Sequence, residues 1–219
     1  MKKFLAIAAV LAAVTLSGCA KKTPYDYTAF RESKPASILV LPAQNNSPDV
    51  NAAHSFVSLV TAPLAEAGYY VFPVAVVEET FKQNGLTNAN DAQAVNTAKL
   101  RSIFNADAAL YITVTDYGTK YILVDSVTQV SATARLVDLR TGKQIWSGLA
   151  TASSNEQNNS NQGGLVGMLI SAAVKQVANN MTDAAHDIAG VTSLRLLTAK
   201  TANTDGGILP GPRAKAAKI

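Results

Sequence analysis

The spacing of apolar residues predicts a strand, a helix and a second strand in the first half of the chain. Residues 38–41 are a continuous apolar run before a proline and a polar cluster, which is typical of a strand covered on both faces. Residues 49–68 repeat apolar side chains at a helical spacing, and Pro63 predicts a kink in this helix. Residues 69–74 are mostly β-branched or aromatic and predict the second strand. This order of elements favours a parallel crossover.

The pattern changes to alternation after residue 107, which indicates a half-buried sheet. Turns predicted at residues 117–120 and 140–143 divide this part into three strands, and two hairpins in succession form an antiparallel meander. Helical segments are predicted before the meander at 76–84 and 91–104, and a long helix over 165–188 is predicted to pack across it. The sequence therefore predicts an α/β fold in a single domain. Its parts are a mixed sheet with crossover helices and a carboxyl-side meander packed by a long final helix.

The first residues have the organisation of a secretory signal. Two lysines precede an apolar run over residues 4–14, which is too short to span a bilayer as a helix. A Leu-Ser-Gly triplet and Cys19 follow, and this arrangement resembles the lipobox of bacterial lipoproteins. The resemblance implies that residues 1–18 are removed and that Cys19 is acylated, since several acyl chains together hold a protein on a membrane. Ala20 instead of aspartate favours the outer membrane, by resemblance to lipoprotein sorting.

The segments around the domain have different compositions. Residues 19–36 are mostly polar and are predicted to be a lipidated tether. Aromatic side chains interrupt this tether, namely Tyr25, Tyr27 and Phe30. Such rings are costly to leave in water, so they are expected to dock on the domain or on a partner. Residues 37–197 are the predicted periplasmic α/β domain. Residues 198–219 contain glycine and proline without an apolar period, which predicts a mobile tail.

Composition disfavours several classes of function. Of the 19 lysines and arginines, two lie in the signal peptide, and the remaining 17 against 15 acidic residues do not indicate a nucleic-acid-binding surface. One cysteine cannot form an internal disulfide, and two histidines cannot build most metal sites alone. The aspartates on or beside the meander have no spacing typical of a calcium or glycosidase site and are expected to face solvent, namely Asp107, Asp116, Asp125 and Asp138. We predict no catalytic residue, no cofactor and no metal site.

One face of the first meander strand carries tyrosine and threonine. The residues predicted to bind a partner are Tyr111, Thr113, Tyr117 and Tyr121. Tyrosine is favoured at interfaces because it combines a large apolar area with a polar tip. The same residues are also typical of a sheet face that the final helix covers, so the sequence leaves both interpretations open.

Several stretches resemble a conserved family of bacterial lipoproteins of unknown molecular function. The most specific is Pro-Leu-Ala-Glu-Ala-Gly-Tyr-Tyr-Val-Phe-Pro at residues 63–73. The others are residues 25–30, 37–47, 84–86 and 108–120. The family is similar in fold to the α/β domain of the curli-secretion lipoprotein CsgG, the amino-terminal domain of TolB and the penicillin-binding-protein activator LpoB. The resemblance implies an assembly, secretion or regulatory protein, and it implies no catalytic residue.

The leading hypothesis is an outer-membrane lipoprotein whose domain faces the periplasm. It would act as a non-enzymatic, protein-binding accessory in an envelope secretion or assembly complex. Its expected partners are the membrane, through the lipid anchor, and other envelope proteins or lipoproteins, but not nucleic acid. The alternative is a self-associating structural subunit of a ring or secretion pore. An enzyme would need a polar cluster in a pocket that the sequence does not reveal.

Overall fold

The computed structural model describes residues 24–122, 125–158, 184–199 and 206–214. The helices in these ranges are α1 (Thr28–Ser33), α2 (Ala52–Ser58), α3 (Thr61–Glu66), α4 (Val74–Gln83), α5 (Ala89–Ala94), α6 (Thr97–Phe104) and α7 (Ala184–Leu197). The strands are β1 (Ser37–Val40), β2 (Gln44–Asn45), β3 (Tyr70–Val71), β4 (Ala108–Ile122), β5 (Asp125–Asp138) and β6 (Gln144–Ser153). A short 3₁₀ helix, Ser154–Asn158, follows β6.

The strands form one mixed sheet in the order β3, β1, β4, β5 and β6, and β2 also pairs with β4. The pairs of β1 with β3 and with β4 are parallel. The pairs of β4 with β5 and of β5 with β6 are antiparallel. The predicted parallel crossover, mixed sheet and meander are thus confirmed. The first hairpin turn, predicted at residues 117–120, is misplaced, because these residues continue β4 and pair with β5.

The sheet has an apolar core on each face at β1. Ile38 and Val40 belong to the core beneath α1, α2, α3 and α7, and we call this side the α7 face. Leu39 and Leu41 belong to the core beneath α4, α5 and α6, and we call this side the α4 face. This division confirms that β1 is a strand covered on both faces, because successive side chains point to opposite sides.

Several predicted elements have different limits in the structure. The helix predicted to kink at Pro63 is two helices, α2 and α3, with Pro63 in the first turn of α3, where a missing amide hydrogen costs little. The segment 91–104 is also two helices, because α5 ends at Ala94 and Asn96 caps α6 by accepting from the amide of Ala98. The second strand is only β3, since α4 begins directly after Pro73.

The predicted final helix is partly visible. Residues 165–183 lie outside the described residues, as do Cys19 and the predicted signal peptide. The described part, α7, extends to Leu197 and packs against β5 and β6, which confirms that the final helix lies across the meander.

The predicted tether is folded from Pro24 onward. Tyr27 and Phe30 are 3% and 4% exposed, and both belong to the core of the α7 face. The hydroxyl of Ser33, the last residue of α1, donates to the carboxylate of Asp138 at the end of β5. The aromatic residues therefore dock on the domain, and we call residues 24–36 the arm.

The prediction of a mobile tail is wrong for residues 206–214, which we call the strap. Ile208 in the strap is fully buried in the core of the α7 face. The amide of Gly211 donates to the carbonyl of Ala67 at 2.7 Å, and the hydroxyl of Tyr69 donates to the carbonyl of Leu209. The strap is held mainly through its own backbone groups, which explains why its composition resembles that of a free tail.

Candidate functional site

A β-bulge in β4 divides the predicted tyrosine stripe. Val114 pairs with Ala132, but Asp116 pairs with Ser131, so Thr115 is an extra residue without its own partner. An extra residue shifts the alternation of side chains by one position. Tyr111 therefore lies in the core of the α4 face, whereas Tyr117 lies in the core of the α7 face.

Tyr117 belongs to a polar cluster between helices rather than to an outer surface. It is 6% exposed, and its hydroxyl lies 2.7 Å from the hydroxyl of Ser55 on α2. The Ser55 hydroxyl lies 2.8 Å from Nδ1 of His186 on α7. A serine beside a histidine can act as a nucleophile and its base, but here the pair joins α2 and α7 over β4. We interpret the cluster as a structural link between these elements.

Tyr111 supports an arginine on the α4 face. The Tyr111 ring is 5% exposed, and the guanidinium carbon of Arg135 on β5 lies 3.7 Å from the ring centroid. Burial raises the pKa of the Tyr111 phenol, and the positive charge of Arg135 opposes that rise. The stacked ring fixes the position of an exposed cation without neutralising it.

Beside this pair lies an open groove of about 760 Å³ between α5 and the α4 face of the meander. Its amide side chains come from Gln44, Asn90, Gln93 and Gln144, and its hydroxyls come from Thr113, Thr133 and Ser147. Among the described lining residues, Arg135 carries the charge. The groove is therefore mostly neutral and polar, with donors and acceptors along its length.

Hydrogen bonds hold part of this lining in place. The amide nitrogen of Gln93 donates to the carbonyls of Pro42 and Ile112 at 2.9 and 3.0 Å. The hydroxyl of Thr113 donates to the side-chain oxygen of Gln44 at 3.2 Å. These bonds fix α5 and β2 against β4, so the wall of the groove opposite β6 is preorganised.

The other wall of the groove is formed by β6, where Leu149 is 70% exposed. β6 is the last strand of the sheet, and backbone groups on its outer edge form hydrogen bonds with side chains from other elements. The amide of Ser147 donates to the Tyr25 hydroxyl at 2.9 Å, and the Arg195 guanidinium donates to the Thr151 carbonyl at 2.7 Å. Such caps obstruct the addition of another strand at this edge.

The structure thus brings together two of the four residues predicted to bind a partner. Tyr111 and Thr113 line the groove, Tyr117 lies on the opposite face, and the side chain of Tyr121 is outside the described set. Sequence reasoning missed Arg135 and Leu149. A signal for Leu149 existed, because it is a large apolar residue between small ones in β6.

The described residues offer no group of histidine, cysteine, aspartate and glutamate that could hold a metal ion. In the same part of the chain, no helix has the length and apolar character needed to cross a membrane.

Comparison with known proteins shows the family. A family model described as "Putative lipoprotein GNA1162-like" matches residues 25–213. A Neisseria meningitidis protein described as "Putative lipoprotein NMB1124/NMB1162" is 56% identical over 211 residues, which cover 95% of this chain and 94% of the relative. The crystal structure of lipoprotein GNA1162 from Neisseria meningitidis is 62% identical and covers 67% of this chain and 100% of that chain, with a TM-score of 0.55.

A more distant likeness is found with the carboxyl-terminal domain of LpoB from Salmonella enterica. That domain is 17% identical, covers 58% of this chain and 98% of its own length, and gives a TM-score of 0.40. A likeness at this level does not indicate a shared function.

Proposed function

The chain belongs to the GNA1162-like lipoprotein family, and we propose that it is an outer-membrane lipoprotein acylated at Cys19. Its domain faces the periplasm and acts as a non-enzymatic accessory of an envelope secretion or assembly complex. It does so by binding an extended segment of another envelope protein in the groove beside Arg135.

The observation that carries this proposal is the chemistry of the groove. An extended peptide presents amide donors and carbonyl acceptors at regular intervals. The amide and hydroxyl groups of the groove that do not take part in the hydrogen bonds of its wall can bind both. Leu149 supplies an exposed apolar contact at the rim, and Arg135 supplies a fixed charge. Arginine is enriched among the residues that dominate protein interfaces, and the exposed leucine adds apolar area that a partner can bury.

Self-association through β6 fits the structure less well. A ring or pore built by joining sheets needs an open strand edge, and Tyr25 and Arg195 bond to this edge. The groove, in contrast, opens on a sheet face rather than at an edge, and a bound segment does not displace these caps.

The proposal is tested by photocrosslinking in intact cells. A photoreactive amino acid at Leu149 should give an adduct with an envelope protein. Thr133→Trp, which fills the groove, should reduce this adduct about tenfold, equivalent to a loss of 1.4 kcal/mol of binding free energy. The adduct is identified by mass spectrometry after purification through the lipoprotein.

The matched control is the same photoreactive residue at Val76, which is 61% exposed on α4 and outside the groove lining. This position should give no adduct that responds to Thr133→Trp. Identical adducts from both positions, or a Leu149 adduct that Thr133→Trp does not reduce, would refute the groove as the binding site.

A further inference from the structure

The arm contacts β6, the strand that forms one wall of the groove. The hydroxyl of Tyr25 accepts a hydrogen bond from the amide of Ser147 at 2.9 Å, and Ser147 lines the groove next to Leu149. The arm and the proposed binding site therefore use the same strand, the arm at the outer edge of β6 and the groove on its α4 face.

The strap holds the arm in this position. The buried hydroxyl of Tyr27 donates to the carbonyl of Gly207 at 2.6 Å, and the Tyr25 ring packs against Gly206. The indole nitrogen of Trp146 on β6 donates to the carbonyl of Gly206 at 2.8 Å. The arm is thus held by β6 and by the strap, through contacts that are largely removed from water.

Docking of the arm shortens the chain that is free to separate the domain from the membrane. A lipidated tether over residues 19–36 could reach about 60 Å when fully extended. With the arm docked at Tyr25, the six residues from Cys19 to Pro24 can span at most about 20 Å. The difference is comparable to the size of a small domain.

We propose that the docked arm holds the groove at the membrane surface, so that its occupant is an exposed segment of a protein embedded in the same membrane. This inference rests on the proposed function, because it requires both an acylated Cys19 and a groove that binds protein. The charge on Arg135 and the amide-rich lining determine which segment binds. The short tether determines how far above the bilayer that segment can lie.

The height of the groove is measured on the acylated full-length protein in vesicles of phosphatidylethanolamine and phosphatidylglycerol. Cys19 is the only cysteine, and its acylated sulfur does not react with a maleimide, so Leu149→Cys accepts a single fluorophore. Nickel ions chelated on the lipid head groups serve as a short-range quencher. Strong quenching is expected, and it should fall at least twofold when a Gly-Ser linker inserted after Lys22 triples the free tether. Quenching that is weak, or unchanged by the linker, overturns the inference.

The partner's location is tested by crosslinking from Leu149 in cells. Effective concentration falls with about the −3/2 power of tether length, so the same insertion should lower the yield of the adduct about fivefold. The matched control appends the identical linker after Ile219, which should leave the yield unchanged. The identified partner should be a membrane-embedded protein.

The outcomes separate the two proposals. If Leu149 gives no adduct in the unmodified protein, the proposed function fails. If it gives an adduct whose yield the inserted linker leaves unchanged, or whose partner is a soluble periplasmic protein, the proposed function stands and placement at the membrane is refuted.

Discussion

At the scale of single residues, Asp138 joins the arm to the meander. It is 1% exposed, and its carboxylate accepts from the Ser33 hydroxyl and from the Arg140 guanidinium, the latter at 2.8 Å. The backbone amides of Arg140 and Thr141 also donate to it at 2.7 and 3.0 Å. Burial by itself raises the pKa of this carboxyl, but these hydrogen bonds outweigh burial and hold the pKa well below its usual range.

We predict that Asp138→Asn lowers the free energy of unfolding at pH 7 by about 1–3 kcal/mol, because the charged bonds are lost in a buried site. A carboxyl with a depressed folded-state pKa stabilises the protein fully above its unfolded pKa of about 4. This stabilisation is lost as the pH falls toward the folded pKa, so the difference between wild type and variant should shrink below about pH 4. Urea unfolding of the lipid-free chain at several pH values measures this difference in unfolding free energy.

The control is Asp116→Asn, which removes a surface ion pair with Lys120. Such pairs contribute less than about 1 kcal/mol, so this variant should unfold nearly as the wild type does at every pH. Equal effects of the two substitutions would show that Asp138 has no special role.

The sequence predicted Asp138 to face solvent, and that expectation is wrong. The residue precedes a tight turn, where an aspartate commonly bonds to the amides that follow, and this part of its environment is local. Its contact with Ser33 joins residues 105 positions apart, which no local pattern can indicate. The bulge at Thr115 was equally hidden, because no glycine or proline marks it.

At the scale of elements, the strap crosses a glycine in a left-handed conformation. Gly68 has φ +93°, and a Cβ built there would lie 2.1 Å from the amide nitrogen of Ala214. Gly85 has φ +79°, and a Cβ there would meet nothing within 4 Å. The two positions share the backbone strain that alanine suffers at positive φ, but only the first lies under the strap.

We predict that Gly85→Ala costs about 1–2 kcal/mol of unfolding free energy from backbone strain alone. Gly68→Ala should cost more, because the methyl group also displaces the strap. Deleting the chain from Gly206 onward should lower stability by itself and should remove the difference between the two substitutions. Urea unfolding of the wild type and the two variants, each with and without the deletion, checks this in six chains. An unchanged difference between the two substitutions after the deletion would exclude the strap as its cause.

Elements with a strong apolar period were the ones that the sequence could predict. β1, the crossover and the meander follow from apolar runs and alternations within their own residues. These patterns do not depend on which element packs against them. The division of residues 91–104 was not predicted, although Asn96 is a preferred helix cap and gives a local signal for it. The strap has no period, and its backbone hydrogen bonds leave no trace in the choice of side chains.

At the scale of the whole molecule, the arm and the strap meet although they lie at opposite ends of the chain. Tyr27 and Gly207 are 180 residues apart in sequence. The sequence showed that the aromatic residues of the arm needed a covered site, but it left the domain and a partner as alternatives. The groove is formed by α5, β2 and the meander together, so its shape depends on the packing of the whole sheet. Only Tyr111 and Thr113 of that lining could be named in advance.

The anchor itself is tested by two neighbouring substitutions. Cys19→Ser removes the only sulfur that can be acylated, so the protein should lose incorporation of labelled fatty acid and should not fractionate with membranes as a lipoprotein. Ala20→Asp keeps the cysteine, so it should retain the fatty-acid label but move to the inner membrane if the sorting resemblance holds. The described contacts of the arm begin after both positions, so the unfolding temperature of the domain should be the same in the two variants. A lipid label on the Cys19→Ser protein would refute the anchor, whereas an Ala20→Asp protein that stays in the outer membrane would refute only the assignment to that membrane.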